Sequence, residues 1–490
     1  MTVRPNARDL LRTVLDENTF VSWDAPPVDV RPDPGYAEAL ARARERTGSD
    51  ESVITGAGLL RGRRVAVVAG EFGFLGGSIG VAAAERLVAA VERATDERLP
   101  LLVAPASGGT RMQEGTPAFL QMLKITQAVV AHRSARLPYL VYLRHPTTGG
   151  VLASWGSLGH LTLAEPGALI GFLGPRVYEA LHGTAFPGDV QTAENLHTHG
   201  LVDMVVAPES LAEVVARTLT LLTPTPTGTE PRPPAEPPDI RDAPAWPAVL
   251  ATRTPTRPGA RDLLRVAATD TVPLGDPDSG LVLALARFGR TPCVFLGQER
   301  TGPPIGPAAL RRARRGMRLA ADLRLPLVTV VDTAGAELSR AAEEGGLARE
   351  IAQCLAELIT LPSPTVSLLM GQGTGGAALA VIPADRVLAA QHGWLAPLPL
   401  EGASAIMYRT ADRAADLADT QRIRAGDLAE AGLVDAVIAE HGGPEAFCRR
   451  AAEVLRHELV RLSAMDPAVR LEERRHRYRT IGSRHVFVSG

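Results

Sequence analysis

The sequence predicts an α/β protein whose two halves are built alike, with layered sheets and flanking helices. Short apolar runs lead into glycine-rich loops and then into helix-like stretches, and this order repeats along the chain. Short motifs also occur twice: Thr147-Thr148-Gly149-Gly150 and Gly200-Leu201-Val202-Asp203 are matched by Thr374-Gly375-Gly376 and Gly432-Leu433-Val434-Asp435. Their spacing agrees, since Gly108 precedes Gly149 by 41 residues and Gly335 precedes Gly375 by 40.

The composition is that of an ordinary globular protein. The 490 residues are 45% hydrophobic and 22% charged, and the net charge is −2, which favours neither nucleic acid nor an anionic membrane as a partner. The start of the chain is polar, and no apolar run approaches the ~20 residues that a membrane helix needs, so we expect a cytoplasmic protein. Three scattered cysteines exclude a disulfide framework, and His197 and His199 have no further ligand nearby, so no metal site is expected.

The chain is predicted to have four parts. Residues 1–50 form an arm with a short helix at 36–46, and residues 51–222 form a first domain. Residues 223–258 are rich in proline and are expected to be an extended linker, although a docking site for a proline-binding module is an alternative. Residues 259–490 form a second domain.

Each predicted domain contains strands that end at a glycine-rich loop. In the first domain we expect strands at 64–69, 100–104 and 139–143 and helices at 82–94 and 116–132. In the second we expect paired strands at 281–288 and 293–297, further strands at 326–331 and 365–370, and helices at 308–323 and 346–358.

The glycine pair Gly149-Gly150 ends a strand and opens a helix. Helix starts leave amide N–H groups without partners, and such groups can hold a developing negative charge. Close packing of helix on strand also requires glycine, so the pair alone is weak evidence. Its recurrence at Gly375-Gly376 strengthens the interpretation and suggests a reaction with two oxyanions.

Five other patterns have both a structural and a functional interpretation. Gly371, Gly373 and Gly376 match a dinucleotide fingerprint without its acidic partner, and the loop at 107–111 lacks the lysine of a phosphate cradle. The motif Gly76-Gly77-Ser78-Ile79-Gly80 has the letters of a nucleophile elbow, but a glycine-rich helix start is favoured. For the arginines at 311–318 we favour a solvated helix face over a positively charged binding surface for a phosphorylated ligand or an acidic carrier. For Asp332 we favour a helix cap over a general base.

Longer motifs surround the glycine loops, at residues 106–115, 146–151, 332–336 and 371–380. These motifs resemble the carboxyltransferase of acyl-CoA carboxylases, in the crotonase superfamily. The first half resembles the β-type subunit, through residues 55–58, 74–80, 106–115, 146–151, 164–166 and 171–174. The second half resembles the α-type subunit, through residues 332–336, 371–380, 401–402 and 478–482. The chain is therefore similar to a β–α fusion with two tandem crotonase-like (ββα spiral) domains.

The resemblance implies transfer of a carboxyl group from carboxybiotin, held on a separate carrier protein, to acetyl-CoA or a related acyl-CoA. It implies that Gly149 and Gly150 hold the thioester oxygen, and that the biotin side uses Gly375, Gly376 and Ala377. The remaining residues implied to contact substrate are Gly76, Gly77, Ser107, Gly108, Gly109, Arg111, Gly335, Ala336, Glu401 and Gly402. Expected partners are a biotin carboxylase, a biotin carboxyl carrier protein and further copies of the chain, as a homodimer or a larger assembly.

Two alternatives stay open. A decarboxylase of malonyl- or methylmalonyl-type thioesters would use related enolate chemistry in reverse. A non-catalytic scaffold of a carboxylase complex is the other, which Ala377 in place of glycine and Leu400 would permit.

Overall fold

The computed structural model describes residues 4–223, 244–275 and 280–481. The chain divides into two compact units, with the main boundary after Thr220. The proline-rich run at 231–238 and Gly482 of the tail motif lie outside the described residues.

The first unit opens with two helices, of which Ala7–Val14 packs onto the sheet that follows and Pro34–Thr47 packs against Phe74. Asn6 and Asp33 cap these helices with their side chains, and Gly48 ends the second in a left-handed conformation (φ +64°). The elements in chain order are α1 (Ala7–Val14), β1 (Val21–Ser22), α2 (Pro34–Thr47), β2 (Val53–Leu60), β3 (Arg63–Gly70), α3 (Val81–Asp96), β4 (Leu101–Ala104), α4 (Gly115–Ser134), β5 (Tyr139–Leu143), β6 (Thr147–Thr148), β7 (Leu161–Ala164), β8 (Ile170–Gly171), α5 (Pro175–His182), α6 (Ala193–Thr198), β9 (Met204–Val205) and α7 (Pro208–Leu222).

Seven of these strands form one sheet in the order β1-β2-β3-β4-β5-β7-β9. β1, β2 and β3 pair antiparallel, and from β3 onward the neighbours are parallel. β4, β5 and β7 are buried throughout and almost entirely apolar, as expected for parallel strands covered on both faces. β6 and β8 form a separate two-stranded sheet beyond the end of β5.

The second unit repeats this plan. Its elements are α8 (Ala245–Thr252), α9 (Ala260–Ala267), β10 (Asp270–Pro273), β11 (Leu281–Phe288), β12 (Thr291–Gln298), α10 (Pro307–Leu323), β13 (Leu327–Thr333), α11 (Arg340–Glu344), α12 (Leu347–Thr360), β14 (Thr365–Thr374), α13 (Gly375–Leu379), β15 (Arg386–Ala390), β16 (Trp394–Ala396), α14 (Leu400–Tyr408), α15 (Ala414–Thr420), α16 (Ala425–Glu430), β17 (Ala436–Ile438), α17 (Pro444–Ala464) and α18 (Pro467–Thr480).

The second sheet has the order β10-β11-β12-β13-β14-β15-β17. Its first three strands, β10, β11 and β12, pair antiparallel, and the later strands pair in parallel, as in the first sheet. β16 pairs with the far end of β14, just as β8 pairs with β6. The predicted α/β class, with layered sheets and flanking helices in two similar halves, is confirmed.

The range predicted as a linker is partly folded. Residues 245–252 form α8, in which Ala245 and Val249 are buried against Trp394 and the helices α14 and α15. The expectation of an extended chain is therefore wrong for this stretch. Because proline is frequent across the whole range, its composition indicates a linker and gives no sign of the short apolar helix at 245–252.

Candidate active site

Three loops meet at the carboxyl edge of the first sheet, after β3, β4 and β5. The Gly108 amide donates to the Gly76 carbonyl (2.8 Å), and the Ile79 amide donates to the Gly109 carbonyl (2.9 Å). The Thr148 amide donates to the Ser107 carbonyl (2.9 Å). These main-chain hydrogen bonds hold the three loops in one fixed arrangement, as expected where parallel strands end side by side.

The close approach of these loops depends on glycine. A Cβ on Gly77 would lie 1.9 Å from the Ala106 carbonyl oxygen, so no side chain fits there. Gly149 has a φ of +64°, a conformation that L-residues adopt at a cost. Gly76, Gly77, Ser107, Gly108 and Gly109 thus build the loop cluster, in which only Gly108 is exposed to solvent among the last three.

In the Gly149 turn (Thr148–Gly150), the amides of Gly149 and Gly150 differ in their hydrogen bonding. The Gly149 amide donates to the carbonyls of Gly171 (3.2 Å) and Phe172 (3.1 Å) and is therefore engaged. The Gly150 amide has no acceptor among the residues that the structure describes. The glycine pair predicts that one or both amides donate to a ligand oxygen, and the Gly150 amide is the one that stays available for such a bond among the described residues.

The second unit contains an equivalent turn. Gly335 donates its amide to Thr333 Oγ1 (3.1 Å), as Gly109 donates to Ser107 Oγ (3.0 Å), and both glycines have positive φ values (+136° and +108°). Gly375 has a φ of +63°, against +64° for Gly149. Gly335 therefore corresponds to Gly109 and not to Gly108, and the spacing to the next turn is 40 residues in both units.

Further contacts extend the correspondence. Ala336 forms a parallel bridge with Ile305, as Thr110 does with Ile79. The Gly375 turn (Gly375–Ala377) opens α13, so its amides precede any helical acceptor, and Thr374 does not cap them with its side chain. Ala377 is buried, and its carbonyl accepts a hydrogen bond from Gln298 Nε2 (2.7 Å).

Arg111, predicted to bind substrate, is instead buried within the first unit, with 1% of its surface exposed. Its guanidinium donates to both carboxylate oxygens of Glu51 (2.9 and 2.5 Å) and to Ser78, Ser52 and the Tyr36 hydroxyl. Although burial opposes the charge, Glu51 raises the pKa of Arg111. The side chain is occupied internally and fixes the loop after β4.

Glu401 and Gly402 lie in the first turn of α14. The Glu401 carboxylate pairs with Arg253 (2.5 Å), which lowers the pKa of that carboxyl, and a Cβ on Gly402 would meet open space. This ion pair is part-exposed and joins α14 to the residue after α8. The ion pair with Arg253 is a structural explanation for a carboxylate at position 401 that requires no ligand.

Asp332 neither caps a helix nor faces solvent. It is fully buried at the end of β13, paired with Arg300 (2.7 Å), and accepts the Gln372 amide (3.0 Å). Burial raises the pKa of Asp332 to about 6, while Arg300 pulls it down. The carboxylate therefore ties β13 to β14, and the prediction of a helix cap is wrong.

The other motifs have structural explanations. Ser78 Oγ donates to the Leu75 carbonyl (2.9 Å) and accepts from Arg111 Nε (3.3 Å). Cβ atoms on Gly371 and Gly373 would collide with Asp332 and with the Trp394 carbonyl. On α10, Arg314 and Arg318 pair with Glu357 of α12. Across residues 4–223, 244–275 and 280–481, no three His, Cys, Asp or Glu side chains are grouped to hold a metal ion.

Reading the sequence missed three groups at the site. Gln298 and Gln191 are buried side chains that bond to the segments around the two turns, and Phe172 supplies a carbonyl to the Gly149 amide. Of the three, only Phe172 lies within a motif of the sequence, at residues 171–174. A single buried glutamine leaves no periodic or spacing signal, so neither glutamine could have been singled out.

Comparison with known proteins gives consistent matches along the chain. The family model described as "Carboxyl transferase domain" matches residues 15–440. A protein of Mycobacterium tuberculosis named "Probable biotin-dependent acyl-coenzyme A carboxylase beta3 subunit" is 60% identical, over 96% of this chain and 98% of that protein. "Acetyl-coenzyme A carboxylase carboxyl transferase subunits beta/alpha" of Saccharopolyspora erythraea is 37% identical, over 98% of this chain and 89% of that protein.

A solved structure of transcarboxylase 12S, described as a hexamer assembly with methylmalonyl-coenzyme A and methylmalonic acid bound, has the same fold. The TM-score is 0.76 at 22% identity, over 92% of this chain and 89% of that chain. This likeness confirms the crotonase-like fold. Among the described residues, none of the helices is both long enough and apolar enough to span a membrane. Together, the family match and the extended identity show that the chain belongs to the carboxyl transferase domain family, with the beta subunits of biotin-dependent acyl-CoA carboxylases.

Proposed function

We propose that this chain moves a carboxyl group from carboxybiotin, on a separate carrier protein, to acetyl-CoA or a related acyl-CoA. The observations that carry the proposal are the Gly150 amide, which has no acceptor among the described residues, and the equivalent turn at Gly375 in the second unit. Two oxygens become anionic in such a transfer, the thioester oxygen and the urea oxygen. Two sites of main-chain N–H donors, one for each oxygen, would stabilise these negative charges.

In the first unit, we propose that the Gly150 amide donates to the thioester oxygen of the acyl-CoA. That oxygen gains negative charge when the α-carbon loses a proton and becomes an enolate. A fixed donor stabilises the enolate without reorganisation, and loss of one such donor typically costs about 3–4 kcal/mol of barrier. The loops at Gly76–Gly77 and Ser107–Gly109 would line the approach to this oxygen.

In the second unit, the Gly375 turn fits a carbonyl-type oxygen. Gly376 has no side chain in the way, and the first amides of α13 precede any helical acceptor. Biotin, when bound, supplies the carboxyl group and accepts the substrate proton. We propose that Gly376 and Ala377 donate to its urea oxygen, with Gly335 and Ala336 in the adjoining loop, as Gly109 and Thr110 adjoin the Gly149 turn.

The partners follow from the chemistry. A carboxyl donor must be charged elsewhere, so the proposal includes a biotin carboxylase and a biotin carboxyl carrier protein. The Saccharopolyspora relative is named as joined beta and alpha subunits, and we propose that the two units here are the counterparts of those parts. The transcarboxylase is described as a hexamer, and we expect this chain to assemble into a homo-oligomer as well.

The test is a panel of acyl-CoA thioesters of increasing chain length, with a biotin carboxylase and a biotinylated carrier from the same genome, ATP and labelled bicarbonate. Label should enter acetyl-CoA or a near homologue and should depend on this chain. Release of carbon dioxide from malonyl-CoA without biotin would favour a decarboxylase. Carboxylation that proceeds equally well when Gly149 and Gly150 are replaced by bulky residues would favour a scaffold.

A further inference from the structure

Each turn is adjoined by a buried glutamine from a neighbouring segment. Gln298, the last residue of β12, donates its Nε2 to the Ala377 carbonyl at 2.7 Å. Gln191 donates its Nε2 to the Leu173 carbonyl at 2.7 Å. Leu173 follows Gly171 and Phe172, whose carbonyls accept the Gly149 amide. Gln298 is fully buried and Gln191 is 7% exposed.

Both glutamine amides are only half satisfied. The Oε1 atom of each is buried and has no donor within residues 4–223, 244–275 and 280–481. Turning either amide over would set Oε1 against a carbonyl oxygen, which cannot donate, so the hydrogen bonds fix the orientation. A half-satisfied buried amide stabilises a core less than an apolar side chain of similar volume. Packing alone therefore does not explain glutamine at either position.

The contacts act on the turns and not only on the core. In α13 the Val381 amide donates to the Ala378 carbonyl, so the Ala377 carbonyl is left to Gln298. In the first unit, a Cβ on Gly171 would lie 2.3 Å from Gln191 Nε2. Gln191 therefore packs directly under the segment that holds the Gly149 amide.

We propose that Gln298 and Gln191 are positioning residues, each for one turn and each with an effect on one side of the reaction. Gln298 sets the Gly375 turn and hence the handling of biotin. Gln191 sets the Gly149 turn and hence the handling of the acyl-CoA. The assignment of sides rests on the proposed function, whereas the fixing of the turns does not.

The experiment compares Gln298→Met and Gln191→Met in the full-length protein, so that each variant is the control for the other. Hydrogen–deuterium exchange is followed in peptides covering residues 371–380 and 145–152. Each substitution should speed exchange by about tenfold in its own turn and leave the other turn unchanged. The isosteric variants Gln298→Glu and Gln191→Glu repeat the test if a methionine variant fails to fold.

The kinetic arm uses malonyl-CoA with free biotin. Gln298→Met should lower kcat and raise the KM for biotin by about tenfold, with the KM for malonyl-CoA within about twofold of wild type. Gln191→Met should lower kcat and raise the KM for malonyl-CoA by about tenfold, with the KM for biotin within about twofold of wild type. Equal changes in both KM values, or unaltered exchange in both turns, would overturn the proposal. If the wild-type protein transfers no carboxyl group, the proposed function fails, and the exchange data still decide whether the glutamines fix the turns.

Discussion

At the residue scale, Gly149 and Gly150 have different tasks although they look alike in the sequence. Gly149 turns the chain through a left-handed conformation, and its amide donates to the carbonyls of Gly171 and Phe172. Gly150 leaves its amide unbonded within the described part of the chain, and a Cβ there would make ordinary contacts of 3.4 Å or more. The N–H of Gly150, and not its lack of a side chain, is therefore the proposed functional feature.

Substitutions at Gly150 separate these two features. Gly150→Ala adds a methyl group but keeps the N–H, so we expect kcat within about threefold of wild type, since a few tenths of a kcal/mol is all that the contacts cost. Gly150→Pro removes the N–H, and we expect kcat to fall by about 10²–10³. Steady-state assays with malonyl-CoA and biotin measure both, with circular dichroism to establish folding. Equal activity of the two folded variants would rule out the amide as a donor.

The sequence could indicate the glycine pairs but not the fate of the charged side chains beside them. Spacing and repetition are local signals, and they led to Gly149, Gly150, Gly375 and Gly376. Arg111 follows the same motif, yet its partner Glu51 is 60 residues away. Whether an arginine meets a ligand or a buried carboxylate is decided by such tertiary contacts, so the motif around Arg111 does not reveal its pairing with Glu51.

At the scale of elements, Arg111 joins four segments of the first unit. It pairs with Glu51 ahead of β2 and bonds to Tyr36 of α2 and to Ser78 ahead of α3. Glu114, in the same loop, accepts the Tyr36 hydroxyl (2.6 Å) and the Val81 amide at the start of α3 (2.6 Å). Burial, and then the bond to Glu114, raise the pKa of Tyr36 to about 12, so this network keeps the phenol neutral.

Breaking this network should destabilise the first unit. Arg111→Met leaves Glu51 buried and unpaired, so we expect a loss of about 3–5 kcal/mol in denaturant unfolding. The double variant Arg111→Met with Glu51→Met removes both charges and should recover much of that loss. If Arg111→Met instead left stability intact and raised only the KM for the acyl-CoA, the side chain would be a substrate contact after all.

Helix α4 carries a buried histidine that makes stability depend on pH. His132 bonds to Thr95 Oγ1 (2.9 Å), and burial lowers its pKa from 6.5 to about 4. The unfolded chain therefore binds a proton between these pH values while the folded chain does not. Stability is full above about pH 6.5 and is lost on acidification toward pH 4, by up to about 3 kcal/mol.

Thermal or denaturant unfolding of wild type and His132→Gln at pH 7 and pH 4.5 measures this term. The glutamine does not titrate, so the variant should lose about 2–3 kcal/mol less than wild type over this interval. Identical losses would mean that His132 is protonated in the folded state without penalty.

At the scale of the whole molecule, the repeat is the organising feature. Both sheets begin with three antiparallel strands and continue in parallel, and the loops that follow the parallel strands have matching glycine conformations. The predicted strands at 139–143 and 281–288 have the bounds found in the structure, because apolar runs bounded by turn residues mark buried strands clearly. The short strands β6, β8, β9, β16 and β17 were not predicted, since two or three residues are too few to carry a pattern.

The most direct test of the central claim uses the purified chain with malonyl-CoA and free biotin. We expect acetyl-CoA and carboxybiotin to form in equal amounts, at a rate that Gly150→Pro lowers at least about a hundredfold. Acetyl-CoA that forms at the same rate without biotin, or carboxybiotin formation that is unchanged in the folded Gly150→Pro variant, would contradict carboxyl transfer through these main-chain donors.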